Sequence, residues 1–465
     1  MGGARPAGPL GPAPGAGVLH GARVIPPYVL EQVAANGDAA QRAVALAALD
    51  RDSVIRAQRA AAAAAAAPPQ AAARPEGLLT GSAAEAGWLL QAAWAQFVRE
   101  ELVELQGVVA RLVAFLGAAA GPVVPPAPVP APPAPVPTPT PVPAPAPVPG
   151  PVPGPAPLPP APPPLPPGPP PLPPEHRSVW NAAGNTDAAD DQLVRREGDP
   201  AVVDVDVDRA YDGFGAMTAL LWECFGWDSI DGHGLAVKGT VHYGRAYTNA
   251  FWNGTSIYFG DGDGTLFGSF TACLDVIGHE LMHGVTAHTA ALVYQGQAGA
   301  LNESVSDIFG SLVKQHAAGQ SAAAADWLIG AGLFGAQVKG RALRDMLNPG
   351  TAYDDPVLGR DPQPTTMAGY VTTPRDNGGV HLNSSIPSRA FALAATDSRC
   401  AGNGEAAAGT VGRVWWDVLV GGRVPVACTF VVFAGLTVDA AAARYGPAHP
   451  YTEAVRQAWT TVGVL

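Results

Sequence analysis

The sequence predicts an α+β, two-lobed region, with a β-rich N-terminal lobe and a mainly α-helical C-terminal lobe, carried behind a long non-globular extension. Three observations predict it. Short strand-like runs punctuated by glycine come first, at 201–207, 239–243 and 256–259. Longer helical patterns follow, at 274–287, 302–317, 384–396 and 450–462, and strands succeeded by helices favour two halves with a cleft between them. Upstream, 31 of the 50 prolines fall within the 53 residues from Pro122 to Pro174, a block without a single charge that cannot belong to a core.

Six segments follow in order. Residues 1–23 are Gly/Ala/Pro-rich and read as disordered. Over 24–60, Pro26 and Pro27 precede a helical pattern that Gly37-Asp38 divides into two short helices, a small module closed by an alanine run and Pro68-Pro69. Residues 61–121 hold an Ala-rich segment and an amphipathic helix at 82–116, with Trp88, Trp94, Phe97 and Leu105 on its apolar stripe. The block 122–174 favours polyproline II and reads as a stiff spacer, with recognition by binders of Pro-rich motifs as the second reading. The N-terminal lobe of the globular part is assigned to 175–287 and the helical lobe to 288–465.

Charge follows the same division. Residues 1–174 balance nine Arg against nine acidic residues, so the whole net charge of −12 lies on the C-terminal 291 residues. An acidic domain disfavours nucleic acid as a partner. No secretory signal and no apolar run of membrane length is read, which leads to the expectation of no membrane partner and of a cytoplasmic chain or one exported by an unconventional route. Cys224, Cys273, Cys400 and Cys428 form no CxxC and read as buried thiols.

The chemistry concentrates in His279-Glu280-Leu281-Met282-His283. On a helix, residues four apart share a face, so the two imidazoles can share a metal while Glu280 stands beside them. With 10 His in the chain, chance supplies only ~0.006 such patterns, although a helical His, Glu and His can also form a polar surface. An open Zn²⁺ site needs one more protein ligand, a carboxylate or a third His. Glu303 follows in a helix-like segment, and Asp307 shares its face, where it can accept the ring N–H of a ligating His. Taken singly such a pair is a solvated face, but here Leu301, Val305, Ile308 and Phe309 surround it, and burial would need a cation.

These motifs resemble the thermolysin-like zinc metallopeptidases, especially their protealysin-like branch, from about Arg177 to Leu465. The resemblance implies a two-lobed fold with the HExxH helix between the lobes. It implies zinc held by His279, His283 and Glu303, Asp307 behind them, and Glu280 as the base for peptide-bond hydrolysis in protein or peptide substrates. Asn249 and the Ala250 carbonyl, in Asn249-Ala-Phe-Trp-Asn-Gly254, look like the edge that holds the substrate backbone. Asp376-Asn-Gly-Gly-Val-His381 is similar to the loop in which an aspartate orients a histidine; Tyr294 joins His381 as an oxyanion donor, and Arg344 binds the carbonyl beyond the scissile bond. Phe267, Phe270, Val276 and Leu343 would line the pocket after that bond, implying cleavage on the N-terminal side of hydrophobic residues.

Departures from the family pattern are equally specific. Asp275 and Asp326 look like calcium ligands, but Lys314, Ala331 and Gly332 lack the oxygens a double site needs, leaving at most one weak Ca²⁺ site. Ser385 replaces a usual glycine near His381. The segment from Pro26-Pro27-Tyr28-Val29-Leu30 resembles a short propeptide, implying a zymogen processed between Ala60 and Ser178, with the chain's own N-terminal segment as a partner. The rival reading is a proline-rich interaction or scaffold protein whose peptidase-like domain binds zinc but is inactive.

Overall fold

The computed structural model describes residues 23–66, 176–187, 191–402 and 404–465. Two compact units divide the chain, 1–77 with 165–465 and 78–164, and every described residue belongs to the first. The expectations for 1–22, for the helix at 82–116 and for the proline block lie outside the described residues.

The N-terminal module is a helical hairpin, α1 (Pro27–Asn36) and α2 (Ala39–Ala66). Proline at the first helical position starts α1, where the missing N–H costs nothing. Asp38 starts α2: its Oδ1 accepts the Ala40 and Gln41 N–H groups at 2.8 and 2.9 Å, while Gln41 Oε1 takes the Asp38 N–H at 2.9 Å, a reciprocal cap. The break at Gly37-Asp38 is therefore where the sequence puts it. The second helix, however, is long and runs through the alanine stretch to Ala66, because a continuous run of alanine has no cause to stop.

The N-terminal lobe is built on one sheet, β1 (Arg177–Asn181), β2 (Gln192–Arg196), β3 (Val237–Val241), β4 (Ala250–Trp252) and β5 (Ile257–Phe259), in the order β2-β1-β3-β5-β4. Strands β1, β3 and β5 are parallel neighbours, and β2 and β4 close the two edges antiparallel. Helix α3 (Val205–Phe225) covers the sheet so closely that a Cβ on Gly239 would lie 2.3 Å from Phe214 Cζ. Its first turn corrects a sequence expectation. Residues 201–207 are not a strand: Asp204 is the N-cap of α3, accepting from the backbone N–H groups of Asp206 and Val207.

Beyond the sheet, α4 (Leu274–His288) and α5 (Gly296–Ala317) form the floor between the lobes, and both are buried along most of their length. Small two-residue ribbons follow, β6 (Leu328–Ile329) with β7 (Arg344–Asp345) and β8 (Asp354–Asp355) with β9 (Gly359–Arg360). The rest is helical: α6 (Asp376–Asn383), α7 (Ser385–Thr396), α8 (Ser398–Ala401), α9 (Val411–Val420), α10 (Phe430–Tyr445) and α11 (Pro450–Thr461). Their core is aromatic; the Trp415 and Trp459 rings stack at 6.0 Å and both are fully buried, each worth ~2–3 kcal/mol of apolar burial. Among the described residues, no helix is long and apolar enough to cross a membrane.

Candidate active site

Two helices bring the metal-ligating residues together because glycine lets them approach. A Cβ on Gly310 of α5 would lie 2.4 Å from the Asp275 carbonyl of α4, and one on Gly278 would lie 2.5 Å from Val313 Cγ1. At this contact His279 and His283, one turn apart on α4, face Glu303 on α5. His279 Nε2 lies 3.1 Å from His283 Nε2 and 3.4 Å from Glu303 Oε2, and His283 Nε2 lies 3.6 Å from Glu303 Oε1. All three side chains are buried.

The second ring nitrogens decide what the first ones offer. His279 Nδ1 lies 2.8 Å from Asp307 Oδ1, and an ionised carboxylate only accepts, so the Nδ1 proton points there. His283 Nδ1 lies 2.9 Å from Asn302 Oδ1, whose amide is oriented by donation from its Nδ2 to the Leu292 carbonyl at 3.2 Å; Ser306 Oγ is 3.1 Å away. Both Nε2 lone pairs therefore converge, with a carboxylate, on one buried point. Three acceptors so placed fit a cation of the zinc type. The carboxylates favour positive charge at this point: burial works against a charge on His279, yet Asp307 and Glu303 push its pKa up to about 10, and a bound cation would take the place of the Nε2 proton. Burial holds His283 down at about 3, and the three histidines outweigh burial to keep Glu303 below the usual carboxylate range.

Glu280, on the same helix, is fully buried, and its Oε2 accepts the Trp252 N–H of the edge strand β4 at 2.7 Å. Across the cleft, Tyr294 donates to Glu303 and lies 3.2 Å from His381 Nε2. Burial, reinforced by Glu303, raises the Tyr294 pKa well above its ordinary value, so it stays a neutral donor. Asp376 holds His381 twice, accepting the His381 backbone N–H at 2.9 Å and facing Nδ1 at 2.5 Å. Positive φ at Asp376, Asn377, Gly378 and Gly379 winds the chain back on itself to make that double contact, which is why the helix begins with small and Asx residues. Gln363 fixes the far side by donating to the His381 carbonyl at 2.7 Å.

Arg344 is buried and pairs bidentately with Asp307, at 2.7 and 2.8 Å, so the carboxylate behind His279 is itself fixed. Its third contact runs to the N-terminal module. Arg344 Nη1 donates to the Val24 carbonyl at 2.9 Å, and the module's first described residues lie beside β4. The Val24 N–H reaches the Ala250 carbonyl at 3.4 Å, and the Ile25 N–H donates to Asn249 Oδ1 at 2.9 Å. Asn249 Nδ2 returns a bond to the Ile25 carbonyl at 3.2 Å, and the Arg23 carbonyl lies 3.0 Å from His381 Nε2. The Arg23 guanidinium, also buried, pairs with Asp52 of α2 at 2.6 Å, and Asp52 in turn accepts from Tyr247 at 2.6 Å.

The metal-ligating and catalytic residues singled out in the sequence, with Asn249, Ala250 and Arg344, are thus brought together. Phe267, Phe270, Val276 and Leu343 are buried in the same continuous apolar core as Val24. Asp275 and Asp326 instead receive the Lys314 ammonium, at 3.0 and 2.9 Å, so the chain supplies its own cation between them. Ser385 bonds to the Pro364 and Leu382 carbonyls and leaves His381 alone. A second acidic group, Asp204, Asp206 and His242, comes together outside the cleft, but both ring nitrogens of His242 are engaged by carboxylates, Asp204 at 2.9 Å and Asp261 at 2.7 Å. Sequence reading missed Asn302, Gln363, Asp52 and Arg23. Only Asn302 carried a signal, being next to Glu303 on a helix whose preceding turn faces the ligands.

Family models match in two consecutive pieces, the thermolysin metallopeptidase catalytic domain over residues 183–287 and the thermolysin metallopeptidase alpha-helical domain over 290–464. The chain is 50% identical over 273 residues to the extracellular metalloprotease of Pectobacterium carotovorum subsp. carotovorum, covering 59% of this chain and 77% of that protein. It is 43% identical over 291 residues to protease PrtS of Photorhabdus sp. (strain Az29), covering 62% and 76%. Among solved structures, the precursor of protealysin, a metalloproteinase from Serratia proteamaculans, superposes with a TM-score of 0.60 at 48% identity, covering 63% of this chain and 88% of that one. The chain therefore belongs to the thermolysin metallopeptidase family, whose members are zinc-dependent proteases.

Proposed function

We propose that the protein is a zinc endopeptidase made as a zymogen, cutting peptide bonds on the N-terminal side of hydrophobic residues. The observation that carries this reading is the convergence of two imidazole lone pairs and Glu303 on one buried point, with Glu280 beside it. His279, His283 and Glu303 would hold zinc, which when bound polarises the substrate carbonyl and acidifies a water. Glu280, held by the Trp252 N–H, takes the proton of the attacking water and passes it to the leaving amine. His381 and Tyr294 donate to the oxygen on which charge develops, such donors contributing ~3–4 kcal/mol each. Burial opposes a charge on His381, but Asp376 and Glu303 override it, so the imidazolium is available as that donor. Asn249, Ala250 and Arg344 align the substrate backbone, and the apolar residues around Phe267 and Leu343 accept the side chain after the cut bond.

The N-terminal module supports the zymogen reading, because its own backbone takes up these same contacts, and a structural neighbour is described as a precursor. A binding-only scaffold has no use for Glu280 in this setting. The test is zinc analysis with a peptide assay on wild type, Glu280→Gln and chelated protein after removal of the N-terminal segments. Glu280→Gln should retain zinc and lose activity by ~10²–10⁴-fold. Stoichiometric zinc with no hydrolysis by the wild type would overturn the reading. Peptides differing only in Leu or Asp after the bond should be cut faster with Leu.

A further inference from the structure

We propose that the Arg23–Val24 peptide bond is cut by the protein's own active site, which makes it a processing site inside the N-terminal module. The proposal rests on the endopeptidase reading of the cleft. The module's strand does more than cover the cleft; it runs in substrate polarity and in one register. The Arg23 carbonyl faces His381, the next N–H faces Ala250, the next carbonyl faces Arg344, and the following N–H and carbonyl face the Asn249 side chain. The bond after the carbonyl at His381 is Arg23–Val24, and fully buried Val24 follows it as the hydrophobic residue.

The sequence opposes slippage of the strand in one direction. Sliding the strand by one residue would put Pro26 opposite Asn249, where an N–H is required; sliding by two would put Pro26 opposite Ala250, where one is required again. On the other side of the bond, the Arg23 side chain is anchored to Asp52. Hydrolysis needs only water: the Arg23 C–N bond breaks, Arg23 gains a carboxylate and Val24 a protonated amine. The new ammonium sits in a position without solvent exposure, which weakens the hold of the cut segment on the cleft.

The zinc-loaded full chain, incubated and sampled by intact mass and N-terminal sequencing, tests this, with a quenched peptide added to the same samples. The expected result is a chain beginning at Val24, formed with a rate constant independent of protein concentration and absent from Glu280→Gln. Val24→Pro, which removes the N–H facing Ala250, should abolish that terminus while the quenched peptide is still hydrolysed. Hydrolysis of the quenched peptide without any Val24 terminus would overturn this inference and leave the endopeptidase reading standing. Hydrolysis of neither, with the quenched peptide still uncut after removal of the N-terminal segments, would overturn both.

Discussion

Lys314 shows how one side chain replaces an ion. Its Nζ sits 3.0 Å from Asp275, 2.9 Å from Asp326 and 2.6 Å from the Leu328 carbonyl, an oxygen shell of the kind a bound cation would have. Asp275 is fully buried, and burial drives its pKa up despite the ammonium beside it. Removing the lysine leaves that carboxyl to be protonated or to sit unpaired. Lys314→Met should therefore destabilise the protein at pH 7 by about 3 kcal/mol, the low end for breaking a buried pair because Asp275 can escape by taking a proton. Urea unfolding checks this. Adding calcium to the wild type should leave the unfolding midpoint unchanged, since the position is already filled by a tethered charge.

Helices, rather than single residues, set the spacing of the metal ligands. The contact of α4 with α5 passes through Gly310, and Gly310→Ala would drive a methyl group against the Asp275 carbonyl, a backbone atom that cannot rotate away. The expected cost is ~1–3 kcal/mol of stability together with weaker zinc binding, measured by thermal unfolding and by competition with a chelator, because the displaced face is the one carrying Glu303. At the start of α3, His242 bridges Asp204 and Asp261, and Asp261 is the larger cause of its pKa rising to about 9. The folded value lies above the unfolded one near 6.5, so this contribution is full below that pH and lost as pH rises through about 9. His242→Asn, which suits the left-handed backbone there, should lower stability clearly at pH 6 and much less at pH 10. The same region explains where sequence reading stops. Val203-Asp204-Val205-Asp206-Val207 alternates like a strand, but Val203 is fully exposed and Asp204 is a cap; period two is read before the hydrogen bond that overrides it is visible. The metal helices were legible because their chemistry and their 3.6-residue period coincide in the same residues.

At the scale of the molecule, the question is what keeps the N-terminal strand in the cleft. The hairpin behind it was legible from Pro27 and Asp38, but its latch was not: Arg23 and Asp52 are 29 residues apart, and nothing local marks either. Five backbone bonds hold residues 23–25 against Asn249, Ala250, Arg344 and His381, worth together ~3–7 kcal/mol net. Asp52→Ala removes the buried carboxylate that pairs with the Arg23 guanidinium and accepts from the Tyr247 hydroxyl, a loss of about 3–5 kcal/mol. The two figures are comparable, so the strand should leave the cleft in a large fraction of molecules. The hairpin should stay, because Val29, Leu30 and Val33 remain buried and Asn36 still donates to the Val357 carbonyl beside the β8–β9 ribbon. Full-length Asp52→Ala is therefore expected to hydrolyse a quenched peptide without the lag of the wild type, while the amides of α1 keep their hydrogen-exchange protection. A variant with the same lag as the wild type would show that the backbone contacts alone hold the strand. Loss of protection in α1 would instead make Arg23 and Asp52 the support of the whole module.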